Sequence, residues 1–284
     1  MTNNIAELKQ IANQVRRDIV RMTNGAKSGH PGGSLGCVEF FTALYFNTLK
    51  QDPQNFTQEG RGDDLFFLSN GHITPVYYSV LARCGYFPVN ELSSFRKYGT
   101  RLQGHPSVKN GLPGVRVASG SLGQGMSVAI GAALNKKMNG DDRLVYTLHG
   151  DGELQEGQIW EAVMFAGGNK VDNLISTIDY NNQQIDGTVD QILTLGNLRA
   201  KFEAFGWDVV EVANGNDMEQ MLNGFETAKS HTGKGKPVAI ILKTEMGYGV
   251  DFMQGINKYH GVPPSDEELV KALGQLPETT LGDY

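Results

Sequence analysis

"RLVYTLHGDGELQEGQIWEAVMFAGGNKVDNLISTIDYNNQQIDG", residues 143–187, decides the fold. Two apolar runs, "RLVYTLH" (143–149) and "NLISTID" (173–179), flank one helical stretch, "EGQIWEAVMFAGGNK". Both runs are short and nearly continuous in hydrophobicity, the pattern of strands covered on both faces. A strand, a helix and a second strand make a parallel crossover unit, which sets the two strand ends side by side. One run ends on "GDG" at 150–152, the other on "DYNNQQIDG" at 179–187.

The same alternation extends along the chain. Further strand-like runs are "DLFFLS" (64–69), "DVVEV" (208–212) and "PVAIILK" (237–243). Between them, Ile5, Leu8, Ile11, Ala12, Val15 and Ile19 recur at helical spacing and stop near Asn24-Gly25. A second helix is expected from about Gly36 to Leu49 and a third through "ITPVYYSVLARCGYF", which places Cys37 and Cys84 inside helices. The last helix opens at "SDEELVKAL", where Ser265 and Glu268 have capping-box spacing. No repeat, low-complexity tract or Pro/Ser linker interrupts the pattern. The expected fold is one α/β domain over 1–284, a doubly wound, mostly parallel sheet with helices on both faces.

Bulk properties narrow the function. The chain has 284 residues, is 39% hydrophobic and 20% charged, and carries a net charge of −6 with no basic block. Neither a nucleic-acid partner nor an anionic membrane surface suits that balance. Two scattered cysteines without CxxC spacing argue against a thiolate metal site and suit a reducing compartment. The first residues, "MTNNIAELKQ", lack the basic and apolar regions of a signal peptide, and no apolar stretch reaches membrane-spanning length. The expectation is a cytoplasmic protein. Glycine is the outlier: 36 residues, well above the usual share of about 7%. They sit in motifs rather than runs, which points to backbone in close approach to a ligand.

In doubly wound sheets, ligands bind beyond the carboxyl ends of the strands. Asp151 falls at one such end, and Asn181 lies thirty residues later at the next. Taken alone, Asp-Gly is a common turn pair. The pair of strand ends says more. A carboxylate, an amide oxygen and a nearby carbonyl offer three hard ligands, and a diphosphate and a water would complete the octahedron magnesium prefers. Glycines beside them let backbone N–H groups reach phosphate. No GxGxxG follows a strand, and neither GxxxxGK[ST] nor HExxH occurs. "SGSLGQG" (119–125) is a glycine loop leading into a helix.

Five of the six histidines adjoin a glycine: "SGHPGG" (His30), "NGHI" (His72), "QGHPS" (His105), "LHGDG" (His149) and "YHGVP" (His260). Imidazoles in such turns can exchange protons with sugar hydroxyls or donate to phosphate oxygens. His149, at a strand end, is expected to pack rather than bind. His231, in "SHTGKGK", is read as solvated and inert.

"KSGHPGGSLG", "LSNGHITPVYYSVL", "QGHPS", "GSLGQGMSVAIGAAL", "GDGELQEGQIWEA", "DYNNQQIDG" and "KTEMGYGVDF…HG" together resemble, in order, the amino-terminal half of transketolase. GDG followed at this interval by Asn-Asn is similar to the thiamine diphosphate signature. The resemblance implies the thiamine-diphosphate-binding fold and transfer of a two-carbon ketol unit from a ketose phosphate to an aldose phosphate. It implies thiamine diphosphate with Mg2+, or Ca2+ or Mn2+ in its place, held by Asp151, Asn181 and the Gln183 carbonyl. It places His72, Gly120, Leu122, Gly152, Asn181, Ile185 and His260 around the cofactor. His30 and His260 match groups facing the donor's carbon-3 hydroxyl, and His105 matches one near the carbon-1 hydroxyl. Glu156 and Glu161 match carboxylates at a subunit interface, while Glu153 is expected to be solvated.

Transketolases continue into a pyrimidine-binding domain and a carboxyl-terminal domain, for which these residues hold no motif. The glutamate that supports the aminopyrimidine and the arginines that hold substrate phosphate belong there. The resemblance therefore implies the amino-terminal subunit of a split transketolase, joined to a separate carboxyl-terminal subunit in a two-plus-two assembly. Two alternatives stand beside it: a split ketol-transferase of the same design acting on another sugar, and a non-catalytic thiamine diphosphate-binding module.

Overall fold

Five parallel strands build the central sheet of the computed structural model, which describes residues 2–284. In chain order the elements are α1 (Ile5–Ala26), α2 (Pro31–Gly36), α3 (Val38–Ala43), β1 (Leu65–Leu68), α4 (Thr74–Arg83), α5 (Gln124–Met138) and β2 (Val145–Gly150). They continue with α6 (Gly157–Gly168), β3 (Leu174–Tyr180), a small hairpin of β4 (Gln183–Gln184) and β5 (Gly187–Thr188), α7 (Val189–Leu193) and α8 (Leu198–Ala204). The chain closes with β6 (Asp208–Val212), α9 (Met218–His231), β7 (Val238–Lys243) and α10 (Asp266–Gln275). The sheet order is β1-β2-β3-β7-β6, all pairs parallel.

Both faces of the sheet are covered, which explains the nearly continuous hydrophobicity of its strands. Successive strand residues point to opposite sides. Phe66, Leu68, Tyr146, Leu148, Ile240 and Leu242 pack into a cluster with α1, α2, α3, α4, α9 and α10. Leu65, Phe67, Val145, Leu174, Ala239 and Ile241 pack the other way, against α5, α6 and α8. The doubly wound reading stands. So do all five strand-like runs, each matched within two residues at either end.

Local chemistry sets the helix ends. Asn4 caps α1 by accepting from Ala6 N and Glu7 N, and the helix stops at Lys27, which takes a left-handed conformation. Ser265 and Glu268 form the reciprocal capping box of α10.

The expected helix over 36–49 is not continuous. It breaks at Cys37 between α2 and α3 and ends in a π turn over Leu44–Thr48. Close packing is the reason. A Cβ on Gly32 would meet the Tyr259 carbonyl at 2.8 Å, and one on Gly36 the Glu245 carbonyl at 3.0 Å. The segment is thus pressed onto the loop after β7, and the helix axis yields. Cys84 also lies outside its helix, as the C-cap of α4.

Register fixes the functional end. Gly150 pairs with Asp179 across β2 and β3, so Asp151 leaves the sheet beside Asp179 and donates its N–H to the Asp179 carbonyl at 3.1 Å. Among the described residues no helix is long and apolar enough to cross a membrane.

Candidate functional site at the carboxyl ends of the strands

A cavity of about 320 Å³ opens beyond β1, β2 and β3. Its lining brings together His30, His72 and His260, the glycine-loop residues Gly120 and Leu122, Asp151 and Gly152, and Asn181, Gln183 and Ile185. These come from six separate stretches of sequence. The sheet and the packing of α2 place them.

Asp151 is 2% exposed. Its Oδ1 accepts from Gly152 N at 2.7 Å and its Oδ2 from Asn182 N at 2.5 Å. Asn182 sits in the left-handed region, φ 57°, which turns the chain back toward Asp151. The Asn181 amide donates to Asp179 Oδ2 at 2.9 Å, and its Oδ1 accepts from Gln183 N at 2.8 Å. Burial, with the negative charge of Asp179 added, pushes the Asp151 carboxyl up to about 7. Burial likewise raises Asp179, against hydrogen bonds from Thr244, Cys37 and Asn181.

The electrostatics of the lining are one-sided. Asp151, Glu153, Glu156 and Asp179 contribute carboxylates, and among the described residues no lysine or arginine lines the cavity. A diphosphate entering such a site needs a cation to neutralise it. One carboxylate, one amide oxygen and one backbone carbonyl suit a hard divalent ion. Among the described residues no group of three or more His, Cys, Asp or Glu side chains is placed to hold a metal alone. The oxygen set here is of a different kind, with most of its donors neutral.

The three histidines form a ring-to-ring cluster. Centroids lie 5.0 Å apart for His30 and His72, 5.3 Å for His72 and His260, and 5.8 Å for His30 and His260. Burial lowers all three, and the neighbouring imidazoles add to the effect on His30 and His72; His30 falls to about 4. Neutral imidazoles result, each with one ring nitrogen to accept a hydrogen bond and one to donate. His30 Nδ1 is buried without a protein partner, as are Asn70 Oδ1 and Gln184 Nε2. Orphaned polar atoms around one cavity are what a polar ligand would satisfy.

His105 stands apart. It is exposed and outside the cavity lining, separated from it by Gly120. A Cβ on Gly120 would lie 2.7 Å from His105 Cδ2, and Gly120 has φ +127°, so only glycine fits between them. Burial of part of the ring, with Arg96 nearby, lowers His105 as well.

Glu156 stands at the N-cap position of α6 on the cavity rim, exposed and without a cap hydrogen bond; Glu161 is exposed five residues on, outside the lining. Met164 and Phe165, exposed by 59% and 49%, share that helix. His149 is fully buried, with Nε2 2.9 Å from Thr147 Oγ1, in line with a packing role. His231 ends α9 and pairs with Asp208 at 3.2 Å, well away from the cavity.

The expectation for Glu153 is overturned. It is 2% exposed and bonded to Ser69, Gly123 and Gly150. At the start of a helix it would be solvated, but Gly152–Gln155 is a 3-10 turn that tucks the side chain under the strand ends. Asp179 and Asn70 also line the cavity without having been singled out by sequence reasoning. Asp179 carries the same signal as Asp151, an acidic residue closing an apolar run; Asn70, in "SNGH", carries none.

Fold and site together define an α/β protein with an acidic, histidine-lined pocket at its strand ends. The description "Transketolase, thiamine diphosphate binding domain" matches residues 7–279, and the chain belongs to the transketolase family. It is 38% identical to one of the subunits of an apulose-4-phosphate transketolase from Phocaeicola vulgatus, over 93% of this chain and 91% of that one. It is 39% identical to the 6-deoxy-6-sulfo-D-fructose transketolase subunit SqwG of a Clostridium species, over 97% and 98%. Among solved structures, transketolase from Leishmania mexicana superposes with a TM-score of 0.89 at 31% identity, over 99% of this chain and 43% of that one. Transketolase from Campylobacter jejuni gives 0.88 at 35% identity, over 96% and 43%. The chain thus spans less than half the length of those solved transketolases.

Proposed function

We propose that this chain is the thiamine diphosphate-binding subunit of a split transketolase, and that a separate polypeptide supplies the pyrimidine-binding and carboxyl-terminal domains. One observation carries the reading: the chain covers nearly the whole of relatives named as single subunits, yet only 43% of the solved transketolase chains.

Asp151, Asn181 and the Gln183 carbonyl would hold Mg2+, and the metal would offset part of the negative charge that Asp151 and the diphosphate bring together. Gly152, His72 and His260 would contact the diphosphate, with Gly120, Leu122 and Ile185 walling the ring. When bound, the cofactor supplies the carbon nucleophile that carries the two-carbon unit. His30 and His260, neutral at working pH, would take the proton from the donor's carbon-3 hydroxyl as the carbon–carbon bond breaks and return it to the acceptor. His105, at the outer mouth, would orient the carbon-1 hydroxyl.

The relatives' names cover both a sugar phosphate and a sulfonated sugar. Those sugars differ in their tails, whereas the histidine cluster here is suited to the ketol end. We therefore assign tail recognition to the second polypeptide. Glu156, Glu161, Met164 and Phe165 form the face proposed to receive it, most simply in a two-plus-two assembly.

Copurification of the chain with its neighbour from the native source, followed by a ketol-transfer assay, tests the reading. Activity should require both chains. A stable complex that binds thiamine diphosphate yet transfers no ketol unit from any ketose phosphate or sulfonated ketose would favour a binding module instead.

A further inference from the structure

Glu153 has no part in the roles above, yet it joins three stretches of the cavity wall. Its Oε1 accepts from the Ser69 hydroxyl and from Gly123 N at 2.7 Å, and its Oε2 accepts from Gly150 N at 3.1 Å. The Ser69 hydroxyl oxygen in turn accepts from Gly125 N at 3.1 Å. One buried carboxylate therefore ties the end of β1, the glycine loop and the end of β2. Each stretch leads directly to cavity residues: Asn70 and His72, Gly120 and Leu122, Asp151 and Gly152.

The glycine loop needs such a tie. Gly120 and Gly123 both hold positive φ, +127° and +84°, where glycine is free to adopt many other conformations. The loop also presses hard on β1: a Cβ on Gly125 would sit 2.5 Å from Ser69 Cβ. Behind Glu153 stands His149, fully buried, with Nδ1 unpartnered and 3.7 Å from Oε2. Its other nitrogen reaches Thr147, which is bonded to Ser176 at 3.0 Å, so the tie extends into β3.

From this geometry we infer that Glu153 is a positioning residue that presets the glycine loop against the strand ends, so that thiamine diphosphate meets a formed wall. The inference rests on the cofactor assignment made above. Preorganisation of this kind strengthens binding by removing the ordering cost at the moment of association.

Two measurements on the full chain test it, with Glu153→Gln and Glu153→Ala beside the wild type. Amide hydrogen exchange in the cofactor-free chain should quicken over residues 119–126 and stay unchanged in β6 and β7. The effect should be larger for Glu153→Ala, because the glutamine keeps one acceptor oxygen. Affinity for thiamine diphosphate with Mg2+ should fall by about tenfold to hundredfold in the same order, the size expected for losing a charge-assisted hydrogen-bond hub. In the complex with its partner, the cofactor KM should rise while kcat at saturating cofactor stays nearly constant.

Unchanged exchange over 119–126, or exchange raised equally across the sheet, would overturn the positioning role. If Glu153→Ala does not fold, Ser69→Ala removes the bridge to Gly125 and must loosen the same loop. The exchange readout uses no cofactor. A wild-type chain that binds no thiamine diphosphate would instead overturn the functional assignment.

Discussion

Two polar regions of this molecule are wired in opposite ways. Around α1, buried charge meets opposite charge. Arg83 grips Asp18 through two hydrogen bonds of 2.5 and 2.8 Å, with Ser79 adding a third at 2.7 Å. The buried Arg17 holds the partly exposed Asp283 in the same forked fashion and keeps that carboxyl well below its ordinary value. At the strand ends, like gathers with like: Asp151 beside Asp179, and three imidazoles in one cluster. There the Asp151 carboxyl moves up instead of down. A protein tolerates such unbalanced burial where a ligand completes it. The contrast separates scaffold from site without reference to any relative.

The largest expected effect breaks the contrast at its centre. Asp151→Ala should abolish Mg2+-dependent thiamine diphosphate binding, a loss of more than about a hundredfold seen by calorimetry, since losing a ligand costs more than losing its supporting shell. The cofactor-free chain should stay folded, because losing the uncompensated carboxylate offsets the loss of its hydrogen bonds from Gly152 N and Asn182 N. Unchanged cofactor affinity would refute the metal assignment, and Asn181→Ala should follow the same course.

His30→Ala comes next. Turnover of the two-chain complex should drop by about a hundredfold or more, the usual worth of a placed acid–base group. Cofactor affinity should change little, because the partner proposed for His30 is the sugar. Loss of cofactor binding in this variant would show that the division of roles is wrong.

Arg83→Ala probes the other region. Leaving Asp18 buried and unpaired should cost about 3–5 kcal/mol of folding stability, measured by urea denaturation. Affinity for thiamine diphosphate in the folded chain should be untouched. A variant equally stable but weak in cofactor binding would erase the distinction between the two regions.

The comparison also explains which features are legible in the sequence. The strands are, because β2, β3 and β7 are covered on both faces, so apolar residues dominate them and lack the polar alternation of a half-exposed strand. Asp151 and Asn181 are legible because a parallel crossover sets consecutive strand ends together. Glu153 is not: its burial depends on Ser69 and Gly123, which lie 84 and 30 residues away in sequence. The break at Cys37 is hidden for a similar reason, since the pressing surface comes from Glu245 and Tyr259. His105 groups with the site histidines by sequence, and its place behind Gly120 depends on a loop path that periodicity does not encode.

The smallest effect is one of pH. His30 titrates at about 4 in the folded chain, against about 6.5 in an unfolded one. Below about pH 6.5 the unfolded state therefore binds the proton first. Stability from this group is full above that value and declines as pH falls toward 4. Asp151, His72 and His260 also shift and are common to both chains, so the readout is a difference: the melting temperature of the wild type should fall relative to that of His30→Asn as pH drops from 7.5 to 5. A proton NMR titration placing His30 near its ordinary value would contradict the buried, neutral cluster.

The central claim is that the cavity is one half of a cofactor site, finished by a second polypeptide. The direct test is ketol transfer and thiamine diphosphate affinity, measured on the purified chain alone and again after stoichiometric addition of a polypeptide carrying the pyrimidine-binding domain. The account predicts weak binding and no turnover alone, with both restored in the mixture. Full transketolase turnover by the 284-residue chain alone would contradict it.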